Sequence, residues 1–165
     1  MIFSRAAEYA IQAMLYLAKW HETHPEERYL QTREIAEAQE IPYYFLAKIV
    51  QDLTRFELLT SAKGPQGGIA LARSPEEIRI LDIIAAVDST QYLSRCVIGY
   101  PECTPETPCP LHYDWQKIKT QIFHIIEHVT LADLIKDAQF QNGRLVAPLT
   151  FGVVSVELGE SSGKS

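Results

Sequence analysis

Apolar residues recur at three- and four-residue intervals near the start of the chain. Ala6, Tyr9, Ala10, Ala13, Met14 and Leu17 line one side of a helix predicted over residues 4–20, with Ser4 placed to cap it. The polar stretch 21–31, which contains Pro25, reads as a loop. Thr32 suits an N-cap for a short helix to about Gln39, whose inner side is Ile35, Ala36 and Ala38. After a turn at Glu40-Ile41, Pro42 fits the first position of a helix that runs to about Phe56. Its core stripe is Leu46, Ile49, Val50 and Leu53, and Tyr43, Tyr44, Ala47, Lys48 and Gln51 fall on the opposite side.

Two helices joined by a few residues have helix-turn-helix geometry, in which the second helix enters a DNA major groove. The next stretch of chain strengthens that reading. Leu58–Ala62 and Ile69–Ala72 are strand-like, and Lys63-Gly64-Pro65-Gln66-Gly67-Gly68 between them is a turn, so a β-hairpin is predicted directly after the helix pair. This order of elements spells a winged helix. Thr32, Tyr43, Tyr44, Ala47, Lys48 and Gln51, with Lys63, Gly64 and Pro65 on the wing, form the candidate DNA-contacting set.

Beyond the wing, Ser74-Pro75-Glu76-Glu77 is a capping-box sequence. Ile78–Ile80 suggests a short strand and 81–90 a largely apolar helix. Four prolines over 97–111 exclude a regular helix there. A long helix over 112–129 carries Trp115, Ile118, Ile122, Ile125, Ile126 and Val129 on one side, and Thr130-Leu131-Ala132-Asp133 caps a further turn. So long an amphipathic helix, with little chain left to cover it, implies a second copy. The fold expected is mainly α with a small β-wing: a winged helix-turn-helix domain over residues 1–80, then a cysteine loop and dimerisation helix over 81–139. Residues 140–165 read as a flexible tail with an alternating stretch at 151–158.

Composition changes this picture little. The chain has 165 residues, and an apolar fraction of 47% suffices for a packed core. No apolar run reaches membrane-spanning length and Glu8 interrupts any export signal, so a cytoplasmic protein is expected. Fifteen Lys and Arg against twenty-one Asp and Glu give a net charge of −6, which opposes phosphate binding. DNA affinity must then rest on a few placed cations and on a dimer.

The cysteines carry the chemistry. All three lie in the pattern Cys96-x6-Cys103-x5-Cys109-x2-His112. Thiolates are ligands for zinc, copper(I) and the iron of iron–sulfur clusters. Structural zinc sites favour cysteine pairs two to four residues apart; this looser, proline-rich loop suits a larger object such as a cluster.

Tyr9-Ala10 with Ala13-Met14, Gly64-Pro65 with Gly67-Gly68, Ala86-Val87, the three cysteines, His112 with Trp115, and Thr130-Leu131-Ala132 together resemble the IscR/NsrR/RirA-type regulators, the Rrf-two family, in order and spacing. The resemblance covers most of the chain to about residue 135. It implies a homodimer that binds double-stranded operator DNA and holds an iron–sulfur cluster near the dimer interface, with cluster-assembly proteins as candidate partners. Cys96, Cys103 and Cys109 would be ligands. The fourth would be His112, as in IscR-type proteins and with a 2Fe–2S cluster, which is the reading favoured, or Glu8, as in NsrR-type proteins and with a 4Fe–4S cluster. Iron supply, redox state or nitric oxide would be the signal.

The sequence departs from the family in places. Six residues separate Cys96 from Cys103 where IscR-type proteins have five, and Gln66 and Ile69 replace a glycine and a tyrosine. Ala47 stands where IscR has a glutamate, and the wing cation is Lys63 in place of arginine. A cluster-free regulator using the cysteines as a thiol switch is the alternative. His124-x2-Glu127-His128 matches a zinc-peptidase motif, but the chain has no room for a substrate cleft, and no catalytic residue is expected. His21 and His24 are expected in solvent.

Overall fold

The computed structural model describes residues 3–88, 96–136, 138–141 and 144–146. α1 (Arg5–Thr23) is capped by Ser4, whose Oγ accepts from the Ala7 amide at 3.1 Å. Its inner face carries Ala7, Ala10, Ala13, Met14, Leu17 and Ala18. With so many alanines, α1 lets neighbouring helices close to its axis. The helix outruns its expected end because Trp20 is buried and the Thr23 hydroxyl donates to the Trp20 carbonyl at 3.0 Å. His21, expected in solvent, is half-buried with Nε2 2.9 Å from the Arg28 carbonyl.

α2 (Thr32–Ala38) and α3 (Tyr43–Arg55) form the expected helix pair. α3 buries Leu46, Ile49 and Leu53, with Val50 half-buried. Both helix starts shift by one residue. Thr32 is the first helical residue and not the cap; Gln31 takes that place, and its side-chain amide donates to the Gly67 carbonyl of the wing at 2.8 Å. Pro42 is the cap of α3 and not its first residue, its carbonyl accepting from Phe45 and Leu46 at 3.0 Å each.

The two helices end alike. After α2, Ile41 N–H reaches the Ala36 carbonyl at 2.8 Å and Glu40 N–H the Glu37 carbonyl at 3.3 Å; after α3, Leu58 reaches Leu53 at 3.0 Å and Glu57 reaches Thr54 at 3.1 Å. This is the Schellman closure, which asks for a left-handed residue and usually takes glycine. Here glutamates fill both positions, Glu40 at φ 54° and Glu57 at φ 56°. Relieving that strain with Glu57→Gly should stabilise the fold by roughly 0.5–1 kcal/mol, net of the added freedom of the unfolded chain. The measurement is the urea midpoint at unchanged slope, and a lower midpoint would contradict the account.

β1 (Leu59–Ala62) and β2 (Gly68–Leu71) pair antiparallel, Leu59 opposite Leu71 and Ala62 opposite Gly68. Gly68 has φ +142°, and a Cβ there would lie 2.3 Å from the Leu30 carbonyl oxygen. The close approach matters because Leu30 and Ile69 exchange two backbone hydrogen bonds, of 3.0 and 2.8 Å. These tie the hairpin to the segment entering α2.

A 3₁₀ turn (Pro75–Glu77) carries the expected capping box, and α4 (Ile80–Val87) comes next. Ile78–Ile80 is not a strand. It makes an isolated bridge between Arg79 and Thr130, in which Ile80 N–H donates to the Val129 carbonyl and Leu131 N–H to the Ile78 carbonyl. α5 (His112–His128) and α6 (Leu131–Ile135) complete the helices, and the Thr130 hydroxyl caps α6 by accepting from the Asp133 amide at 3.2 Å. The segment read as a tail opens with a hairpin, β3 (Gln139–Gln141) against β4 (Arg144–Val146), and Phe140 packs on Tyr16 with ring centroids 5.0 Å apart. The alternating stretch 151–158 lies outside the described residues. Residues of α1 to α4, the wing, Ile126 of α5, and Leu131 and Ile135 of α6 share one core. The architecture is thus the mainly helical winged-helix fold expected. Among the described residues no helix is long and apolar enough to cross a membrane.

Candidate metal centre and nucleic-acid interface

The proline-rich loop before α5 draws the three cysteines together. The Sγ atoms of Cys96, Cys103 and Cys109 all lie within 4.8 Å of one another, Cys109 buried and the other two half-buried. Cys96 and Cys109 are 3.5 Å apart at sulfur. Cys103 Sγ accepts from the Cys109 amide at 3.4 Å and stands 3.1 Å from His112 Nδ1. His112, itself buried, is the first residue of α5, and its amide donates to the Cys109 carbonyl at 3.0 Å. The helix therefore starts at the thiols, and its positive N-terminal end favours thiolate over thiol.

Burial pushes the Cys96 thiol up. Hydrogen bonds from the Ile98 and Tyr100 backbone and with the Cys109 and Cys103 side chains outweigh it and bring its pKa to about 7. Burial likewise pushes the Cys109 thiol up, and the hydrogen bond with Cys96 adds to this. Of the two, Cys96 therefore gives up its proton more readily than Cys109. Three soft sulfur donors and one imidazole make a set that fits iron–sulfur iron. Glu8, the other fourth-ligand candidate, is half-buried in the first turn of α1 and is not part of the cysteine group.

The expected DNA face is exposed. Tyr44 at the start of α3 is 89% accessible, the highest of the exposed large hydrophobic residues among those described, and Lys48 and Gln51 lie at i+4 and i+7 from it on the same exposed side. Tyr43 is exposed beside them and Ala47 is half-buried. On the wing, Lys63, Gly64 and Pro65 are exposed, while Thr32 is half-buried at the start of α2. One residue that sequence reasoning missed joins this face: the Arg33 guanidinium lies 4.6 Å over the Tyr43 ring, and Tyr43 meets Tyr44 edge to face at 5.5 Å. Arg33 and Tyr43 lie ten positions apart, so no helical period links them. The available signal was only a cation in the first turn of the first helix of the pair. Beside the wing turn, a 550 Å³ hollow is lined by Glu26, Glu27 and Glu34 together with Arg28 and Gln66. Carboxylates so placed would oppose a phosphate near the wing.

On the outer side of α5, Leu111, Ile118 and Ile125 recur every seven residues and are 46%, 47% and 56% accessible. Trp115, Ile122 and Val129, four positions after each, are half-buried.

A family model described as Rrf2, iron-dependent transcriptional regulator, matches residues 3–137. A protein of Aquifex aeolicus (strain VF5), whose description places it among helix-turn-helix transcriptional regulators, is 35% identical over 82% of this chain and 92% of its own length. The transcriptional regulator IscR of Sodalis glossinidius is 29% identical over 92% of this chain and 93% of its own. Among solved structures, T. potens IscR matches with a TM-score of 0.62 at 30% identity, over 81% of this chain and 85% of that one.

Proposed function

The chain belongs to the Rrf2 family of transcriptional regulators, and from that premise we propose that it is a homodimeric DNA-binding regulator whose operator affinity is set by an iron–sulfur cluster. The observation that carries this is the gathering of Cys96, Cys103 and Cys109 within 4.8 Å at the N-terminus of α5, with His112 against Cys103. These four residues would hold a 2Fe–2S cluster; relatives named IscR and NsrR support the cofactor class. Such a cluster supplies iron that responds to oxidant, nitric oxide and iron supply.

The protein's own residues connect that site to the reading head. The amide of Cys109 and the ring of His112 hold Cys103 in place. α5 carries any shift to its far end, where Val129 and Leu131 are hydrogen-bonded to Ile80 and Ile78 just after the wing. The seam of Leu111, Ile118 and Ile125 begins between Cys109 and His112, so a partner docked on it would feel the same site. A signal acts only through the free energy by which ligation favours one placement of the two reading heads over another. On DNA, Tyr44 and Ala47 offer apolar contacts suited to thymine methyls, and Arg33, Lys48 and Lys63 meet phosphates.

A second reading has an observation in its favour. Cys96 and Cys109, 3.5 Å apart, are placed to form a disulfide by giving two electrons and two protons to an external oxidant. Anaerobic purification decides between the two. The cluster reading expects a brown protein with about two irons and two sulfides per chain, and an operator affinity that changes when iron is removed; about four irons would bring Glu8 back as ligand. Colourless protein whose DNA binding tracks thiol oxidation would establish the switch instead. In the same assay, Arg33→Ala, Lys48→Ala and Lys63→Ala should each lower the salt slope of binding by about 1, with the loss spread evenly over sequences. Unchanged slopes would remove these residues from the DNA face.

A further inference from the structure

We infer that His124 and His128 form a second metal site, a solvent-facing imidazole pair for a divalent first-row transition ion, separate from the cysteines. Both are exposed on the last turns of α5. Four positions apart, they project on one side of the helix, and their rings lie 4.4 Å apart at 36°. Two histidines at this spacing are a recurrent helical frame for zinc.

A second observation fixes the ring chemistry. His128 Nδ1 stands 2.9 Å from the His124 carbonyl. A carbonyl only accepts, so Nδ1 is the donor in this contact and Nε2 is the ring nitrogen left for a metal. That is how metal-binding histidines are commonly oriented, one ring nitrogen held by the backbone and the other free to ligate. Among the described residues the His124 ring makes no hydrogen bond. His128 is also the last residue of α5, where the negative end of the helix dipole favours a cation.

The other histidines do not make such a pair. His21 Nε2 is engaged with the Arg28 carbonyl, His24 stacks on Trp20 at 4.8 Å, and His112 adjoins Cys103. Glu127 lies between His124 and His128 in sequence, and its charge favours the guanidinium of Arg79, the residue that precedes α4. Helical spacing sets His124 and His128 opposite the face that buries Lys119 and Ile126. Replacing them therefore leaves the core intact, and water completes the ion's coordination.

The test is calorimetric titration of the full-length protein with nickel(II), which imidazole suits. The cysteines are present in every sample, so the comparison isolates the pair. Wild type and His24→Gln should take up one more equivalent of nickel per chain than either His124→Gln or His128→Gln. Loss in only one of those two variants, or in neither, would overturn the site. Visible absorbance and iron content should be the same in all four proteins, which keeps this outcome distinct from the fate of the cluster.

Discussion

Cys103→Ala should yield a folded dimer that retains no stable cluster. Cys103 joins two parts of the site: it accepts from the Cys109 amide at 3.4 Å and adjoins His112 Nδ1 at 3.1 Å. Alanine removes a ligand and frees the imidazole at the same time. A cluster left with two thiolates loses the donors that hold its iron, and no other His, Cys, Asp or Glu set of three or more within ligand range exists among the described residues to take over. The fold should suffer little, because Cys103 is half-buried in the loop and lies outside the shared core. Anaerobic iron and sulfide counts, read beside the far-ultraviolet spectrum, separate these effects. Iron at the wild-type level in a folded variant would place the ligands elsewhere. His112→Ala against Glu8→Ala then assigns the fourth position: the variant that loses absorbance names the ligand.

Much of this fold is legible in local sequence. Ser4 and Thr130 are short polar residues before apolar runs, and both cap as their chemistry demands. The helix pair and its glycine-rich hairpin needed only local patterns, and so did the cysteine spacing. What escaped the sequence depends on the third dimension. Glu40 and Glu57 have no propensity for left-handed backbone, and it is the closure of the helix ends that puts them there. Gln31, which takes the cap position of α2, has its side chain engaged by Gly67, thirty-six residues away. Arg33 reaches the expected DNA face only through its contact with the ring of Tyr43. Periodicity marked the apolar side of α5 but could not divide it between the chain's own core and a partner.

That division makes the second large effect. Ile125 and Ile126 are neighbours on α5, the first 56% accessible and the second 3%. Ile125→Glu should leave each chain folded and split the dimer. The Leu111–Ile118–Ile125 spacing is that of a two-helix seam, and a two-fold axis would bring two carboxylates into it, each stripped of water and facing the other. Light scattering should report monomers at micromolar concentration. Operator affinity should fall by two orders of magnitude or more, on the order of what is lost when two linked reading heads bind separately. Ile126→Ala should do the opposite: it leaves a cavity in the shared core, costs about 2–5 kcal/mol of folding stability, and spares the seam. If Ile125→Glu remained a dimer, the exposed stripe would not be the interface, and of the two routes from the cysteines only the one through Val129 and Leu131 to Ile80 and Ile78 would stand.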